Sequence, residues 1–275
     1  MPSNSPTLWI TATPLGNIGD LSPRAREILS GADLVLAEDT RRAARLFREC
    51  GLEVRALESF FDHNEEKKIP RVIKALREGA NIALITDAGS PLMADPGYRL
   101  VRACREAGIR VSPAPGPSAP VAALSVAGLA PLPFSFIGFL PRGEKERADL
   151  FAAYAPIPGS LAFFERKDRL WDSLKIAGAI LGDREVAICR ELTKPHEEII
   201  FARLGALEER ELLGEITVII GPATAKPKTD EESVRASLKR RMAEGLTPRQ
   251  AVAAVRRESS GWSGKDIYKL ARNPD

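Results

Sequence analysis

The sequence predicts an α/β chain of two α/β domains followed by a small C-terminal helical module. Three observations carry that expectation. First, residues 81–119 read as a strand, a loop, a helix, a strand and a second loop, the repeating unit of a parallel sheet. Second, short apolar runs alternate with amphipathic segments from residue 8 to residue 222. Third, the last 45 residues carry helical periodicity only and are rich in Lys and Arg. The expected domains span residues 1–117, 118–224 and 231–275.

In chain order, Leu8 to Ala12 forms a first strand and Thr13 to Asp20 a loop. Ser22 and Pro23 then give an N-cap and a first helical residue, and Gly31 ends that helix. Asp33 to Ala37 is a second strand, ending in Glu38-Asp39-Thr40-Arg41-Arg42. Leu57 to Asn64 reads as a short strand and a loop holding His63, and Glu65 to Glu78 as a charged helix with Ile69, Val72, Ile73 and Leu76 inward. Ile82 to Ile85 is an apolar strand followed by Asp87-Ala88-Gly89-Ser90-Pro91. Tyr98 to Ala107 is an amphipathic helix stopped by Gly108, and Ile109 to Val111 is a strand leading into Pro113 to Ala119. Both Gly/Pro-rich loops should fall at the carboxyl ends of adjacent strands, where open α/β sheets bind ligands.

Past Pro117 the character changes. Ala119 to Gly128 is a small-residue apolar helix, and Phe134 to Phe139 alternates like a strand. Helices are expected over 145–155, 169–181 and 204–211, and strands over 160–165, 185–190, 199–202 and 214–222. Glu191 to Glu198 is a polar loop containing His196, and Ala223 to Asp230 has a linker composition. Three short helices then follow: Glu232 to Glu244, Thr247 to Arg257 and Lys265 to Ala271.

Composition bounds the function. The net charge is only +3, but residues 226–275 hold 12 Lys/Arg against 7 Asp/Glu, so the tail suits a polyanionic partner. Cys50, Cys104 and Cys189 are widely spaced and odd in number, which argues against a disulfide framework or a metal site and fits a cytoplasmic setting. No signal peptide or membrane span is read. Gly16 lies 22 residues before Glu38, near the dinucleotide spacing, but Gly16-x-x-Gly19 is not G-x-G-x-x-G, and no P-loop signature exists.

Six stretches in order, ATPLGN (12–17), AEDTR (37–41), TDAGSPLMADPG (86–97), PGPSA (115–119), ELTKPHEE (191–198) and GEITVIIG (214–221), closely resemble the ribosomal RNA small-subunit methyltransferase I family, of the tetrapyrrole-methylase-like class. The resemblance covers nearly the whole chain. It implies two α/β domains with S-adenosylmethionine (SAM) folded between them, a homodimer, and 2′-O-methylation of a cytidine in the decoding region of 16S rRNA in the small ribosomal subunit. The same resemblance implies cofactor contacts from Pro14, Leu15, Ala88, Gly89, Ser90, Met93, Ser118 and Ala119, from Glu165 or its neighbour Phe164, and from Leu192 and Thr217. Strand-end packing is an equal reading of the last two.

For a ribose hydroxyl, a base or a polarising cation is the help protein can offer. Asp39, Asp87, Glu191 and Lys194 are the candidates, with Arg41 on phosphate. Lys194 either polarises the hydroxyl or, with a depressed pKa, takes its proton. Asp39 and Asp87 both precede segments where a helix can start and so have a capping alternative. Arg240, Arg241, Arg256, Arg257 and Lys265 are the expected RNA contacts of the tail, and Trp262 either stacks on a base or fills the module's core. The rival readings are a porphyrinoid C-methyltransferase of the same fold and a non-catalytic RNA-binding factor; the basic tail speaks against the first and the polar loops against the second.

Overall fold

A computed structural model describes residues 6–223 and 229–272. The expected linker, residues 223–230, lies largely outside the described residues. Two compact units result, Met1–Pro222 and Ala223–Asp275.

The first unit holds two five-stranded sheets. Its first half runs β1 (Thr7–Thr11), α1 (Pro23–Gly31), β2 (Leu34–Ala37), α2 (Thr40–Cys50), β3 (Leu57–Ser59), α3 (Asp62–Arg77), β4 (Ile82–Ile85), α4 (Tyr98–Glu106) and β5 (Arg110–Ala114). All strands are parallel, in the order β3-β2-β4-β1-β5. Alternate side chains of each strand feed opposite cores, as the two-residue period requires. Trp9, Ala83 and Ile85 face a core closed by Ile28 and Leu29 of α1 and Phe47 of α2. Leu8, Ile82 and Leu84 face one closed by Val72 and Leu76 of α3 and Leu100 of α4. With helices on both faces, β4 is buried at every position, which is why it reads as an unbroken apolar run.

Two expectations about this half change. β4 and β5 are not adjacent; the α4 crossover steps over β1, which lies between them. The sequence shows that strands are joined by a crossover but not how many strands it spans. His63 sits in the first turn of α3 rather than in a loop. The helix α2 follows directly on Asp39, whose carboxylate accepts the Arg41 amide at 2.8 Å as N-cap. Asp87 starts no helix: α4 begins at Tyr98.

The second half runs α5 (Ala119–Val126), β6 (Phe134–Phe139), α6 (Glu144–Tyr154), β7 (Ser160–Glu165), α7 (Leu170–Leu181), β8 (Glu185–Arg190), β9 (Glu198–Arg203) and β10 (Ile216–Ile220). The strand order is β6-β7-β10-β8-β9. Only β6 and β7 are parallel; β10 runs antiparallel between β7 and β8. One face packs on α6 and α7 through Phe151, Phe163, Leu170 and Leu174, the other on α5 through Ala123 and Leu124. The helix expected over 204–211 does not form. Instead Leu204 and Leu212 are buried, the Gly205 amide donates to Asp183 at 3.1 Å, and Trp171 donates its Nε1–H to the Arg210 carbonyl at 2.9 Å. These tertiary anchors hold the segment in an irregular, non-helical path that begins with a turn at Leu204–Gly205, overriding its local helical preference.

The second unit consists of α8 (Glu231–Ala243), α9 (Pro248–Glu258) and α10 (Gly264–Arg272). Its core is Val234, Leu238, Val252, Val255 and Ile267. Trp262 packs against it and donates its Nε1–H to the Thr229 carbonyl at 2.6 Å, so its ring belongs to the module's interior. No helix among the described residues is long and apolar enough to cross a membrane.

Candidate active site

Three loops that leave β1, β4 and β5 are laced together. Thr13 and Gly89 exchange backbone hydrogen bonds of 2.9 and 3.1 Å, the Thr13 hydroxyl donates to the Thr86 carbonyl at 3.2 Å, and the Ser90 hydroxyl to the Pro117 carbonyl at 3.0 Å. Glycine is required where they meet. Gly89 has φ +83°, and a Cβ there would lie 3.1 Å from Leu15; a Cβ on Gly116 would lie 2.9 Å from that of Ala12.

These loops form one side of a cleft of about 390 Å³. The second sheet supplies the other side. Because β10 is antiparallel to β7, Thr217 at its start pairs with Phe164 at the end of β7, and both reach the cleft. Phe139 and Phe164, with ring centroids 5.2 Å apart, give it an aromatic wall. Leu15, Ala88, Gly89, Ser90, Met93, Ser118, Ala119, Phe164, Glu165 and Thr217 all line it. Pro14 does not, and is buried. Leu192 does not either: it packs on Ala123 and Ala187 beneath the β-sheet surface.

Glu165 borders the cleft, but its carboxylate does not serve it. One oxygen accepts from Arg169 at 2.5 Å and from the Arg166 amide at 2.8 Å; the other accepts from Ser173 at 2.7 Å. Arg169 also donates to the Pro141 carbonyl at 3.1 Å. This side chain clamps the ends of β6, β7 and α7 together.

The proposed catalytic groups divide. Asp39 lies off the cleft wall. Arg41 binds it through both Nε and Nη2, at 3.1 and 2.7 Å, and together with the backbone bonds of its cap this holds the carboxyl far below the ordinary range. Arg41 is thereby committed to its own N-cap. Asp87 does line the cleft. Burial raises its pKa, opposed by Arg42 at 3.1 Å and the Asp39 amide at 3.2 Å.

Lys194 and Glu191 form a separate knot at the edge. Lys194 Nζ lies 2.9 Å from Glu191 and 3.1 Å from Glu215, and the Glu215 amide donates to Glu191 at 2.8 Å. Glu191 and Thr193 adopt left-handed φ of 50° and 66°, which turns the Lys194 stem across Gly16. Burial opposes the Lys194 charge, but the bonds to Glu191 and Glu215 outweigh it and raise the pKa; the mirror balance lowers that of Glu191. Lys194 is therefore an ammonium and not a proton acceptor, because its two carboxylate partners stabilise the charged form. Of this knot only Glu215 reaches the cleft.

Sequence reasoning missed two carboxyls in the cleft. Glu38 accepts from the Thr86 hydroxyl at 3.1 Å, and burial followed by the nearby Asp87 raises its pKa. Asp95 is half-buried, and burial lifts it to about 6. It stands ten residues past β4 within the TDAGSPLMADPG stretch, too far from the strand end for the edge rule to select it.

In the C-terminal unit, Arg240 and Arg241 both pair with Glu258, and Arg241 also with Glu244 at 3.0 Å. Arg256, Arg257 and Lys265 make no ion pair among the described residues; Lys265 borders an open hollow with Arg249 and Tyr268.

Residues 7–208 match the family described as Tetrapyrrole (Corrin/Porphyrin) Methylases. The chain is 42% identical over 273 residues to a ribosomal RNA small subunit methyltransferase I of Escherichia coli O157:H7, covering 96% of this chain and 94% of that one. It is 40% identical over 272 residues to the protein so named in Xylella fastidiosa, covering 95% and 97%. Among solved structures it resembles the methyltransferase CobJ, with TM-score 0.63, 19% identity and 82% and 98% coverage. It also resembles the uroporphyrin-III-C-methyltransferase of Thermus thermophilus, with TM-score 0.56, 21% identity and 78% and 94% coverage. Those two likenesses show the fold alone. Taken with the laced loops and the two-sheet cleft, these matches place the chain in the tetrapyrrole methylase family and, within it, among the ribosomal RNA small subunit methyltransferases I.

Proposed function

We propose that this protein transfers the methyl group of SAM to the ribose 2′-hydroxyl of a cytidine in the decoding region of 16S rRNA. The observation that carries this reading is the length of the likeness. The 42% identity extends over 96% of the chain, so it runs through most of the basic C-terminal unit, beyond residue 208 where the tetrapyrrole methylase match ends.

The cleft fits the cofactor. Its volume is that of a small-molecule site, and its lining mixes apolar residues such as Leu15, Met93, Phe139 and Phe164 with polar and charged ones. Ala88 and Gly89 line it without bulky side chains, and Phe139, Phe164 and Met93 offer an apolar wall for a flat base. Glu38, Asp87 and Asp95 supply negative charge for a cationic ligand. When bound, SAM supplies an activated methyl electrophile. The protein's own contribution is to align the ribose oxygen, exclude water and receive one proton. Lys194, fixed as a cation by Glu191 and Glu215, is suited to orienting backbone phosphate at the rim, and Arg256, Arg257 and Lys265, which make no ion pair among the described residues, to binding RNA phosphate.

We further propose residues 1–117, 118–224 and 231–275 as the functional domains, a cytoplasmic location and a homodimer. The dimer is supported by apolar side chains left exposed on and after α5: Val121, Val126 and Leu132. Light scattering behind a sizing column measures it directly.

The test is methyl transfer from labelled SAM to 30S subunits lacking this modification, with the labelled nucleotide mapped and digested. Label on a decoding-region cytidine ribose is expected. SAM binding without label in rRNA would overturn the substrate assignment.

A further inference from the structure

We propose that Asp95 is the general base that takes the proton from the substrate hydroxyl. The inference rests on the methyl-transfer reading above and adds the group on which that reaction turns.

The argument is one of occupancy. Nearly every other acidic or basic group at the cleft is already engaged. Asp87 pairs with Arg42 at 3.1 Å, and Glu165 is taken by Arg169 and Ser173. Glu215 binds Lys194 at 3.1 Å, and Glu38 accepts from the Thr86 hydroxyl at 3.1 Å. Asp95 lines the cleft near the Thr86 hydroxyl, whose proton goes to Glu38, and forms no ion pair among the described residues. The charges that act on it most are negative, Glu38 after β2, Asp87 after β4 and Asp62 at the start of α3, while the cleft's two cations, Arg42 and Arg166, pair with Asp87 and Asp168. An unpaired carboxylate among others is the one that gains most from accepting a proton. Burial together with these neighbours brings it to about 6, near the range where a base works at neutral pH.

The backbone around it is built for placement. Leu92 and Ala94, neither of them glycine, adopt φ of 70° and 75° immediately before Asp95. Gly97 follows with φ 122°, and a Cβ there would lie 2.5 Å from Leu84 Cδ2. A segment held in such conformations persists only where its surroundings over-determine it.

In the step, the hydroxyl proton passes to an Asp95 carboxylate oxygen and the ribose oxygen's electron pair forms the new C–O bond. The S–C bond breaks with its electrons kept by sulfur, leaving a neutral thioether. Asp95 then loses the proton to solvent.

The experiment compares wild type, Asp95→Asn, Asp95→Glu and Glu38→Gln on 30S subunits, with SAM affinity by calorimetry. The wild-type single-turnover rate is expected to rise tenfold per pH unit below a midpoint near 6. D95N is expected to lose about 10²–10⁴-fold in rate while SAM affinity stays within about threefold. D95E should retain part of the rate, with a shifted midpoint. A flat wild-type profile from pH 5 to 8, or D95N at full rate, overturns the proposal; so does loss confined to Glu38→Gln, which would name Glu38 as the base. Should D95N fail to fold, the wild-type profile and D95E decide. Wild type binding SAM without labelling rRNA would instead bring down the substrate assignment and the base with it.

Discussion

Glu165→Ala is expected to destabilise the first unit without removing a cofactor contact. The carboxylate has no solvent exposure and ends three hydrogen bonds, from Arg169, the Arg166 amide and Ser173. Truncation leaves the Arg169 guanidinium, 19% exposed, without its anion and Ser173, fully buried, without an acceptor. Removing one member of a buried pair costs about 3–5 kcal/mol. An orphaned buried hydroxyl adds about 1–3 kcal/mol. The two share one network and do not add in full, so about 4 kcal/mol is expected. Glu165→Gln keeps an acceptor for Ser173 and should cost about half as much. Urea unfolding measures both, and calorimetry measures SAM affinity on the folded fraction. A Glu165→Ala protein within about 1 kcal/mol of wild type, yet weak in SAM binding, would refute the clamp and return Glu165 to the cofactor.

Asp95→Asn should raise stability while lowering turnover. A carboxyl lifted from 3.8 to about 6 destabilises the fold when ionised, a cost absent below the lower value and complete above the higher. Allowing for its partial exposure, D95N should be about 1–2 kcal/mol more stable than wild type at pH 8 and equal to it near pH 3.5, as read by thermal melts. Gly16→Ala should mimic Lys194→Ala, because the added Cβ would lie 2.2 Å from Lys194 Cγ and displace its stem from Glu191 and Glu215; both should lose rRNA methylation and keep SAM binding. Leu192→Ala should cost about 2–4 kcal/mol of stability, as a core truncation does, with SAM affinity on the folded protein unchanged. Arg256→Glu with Arg257→Glu should weaken RNA binding and flatten its salt dependence, whereas Arg241→Glu should act mainly through stability by breaking its bonds to Glu244 and Glu258.

The sequence by itself determined the α/β class, nearly every strand, and the loops that bound the site. Each of these is a local property. Ile82 to Ile85 is apolar because both faces are covered, Ser22-Pro23 starts a helix through its own hydrogen bond, and Gly89 and Gly116 stand where two backbones meet. The tertiary structure decided everything that depends on partners distant in the chain. It placed β1 between β4 and β5, ran β10 antiparallel beside β7, and kept residues 204–213 out of a helix against a helical pattern. It also sorted the acids. Asp39, Asp87, Glu165 and Asp95 look alike in sequence, but a carboxylate's role follows from what binds it. Arg41 makes the first a cap, Arg42 holds the second, and Arg169 with Ser173 makes the third a clamp. Asp95 lines the same cleft beside Glu38 and Asp87 and forms no ion pair among the described residues.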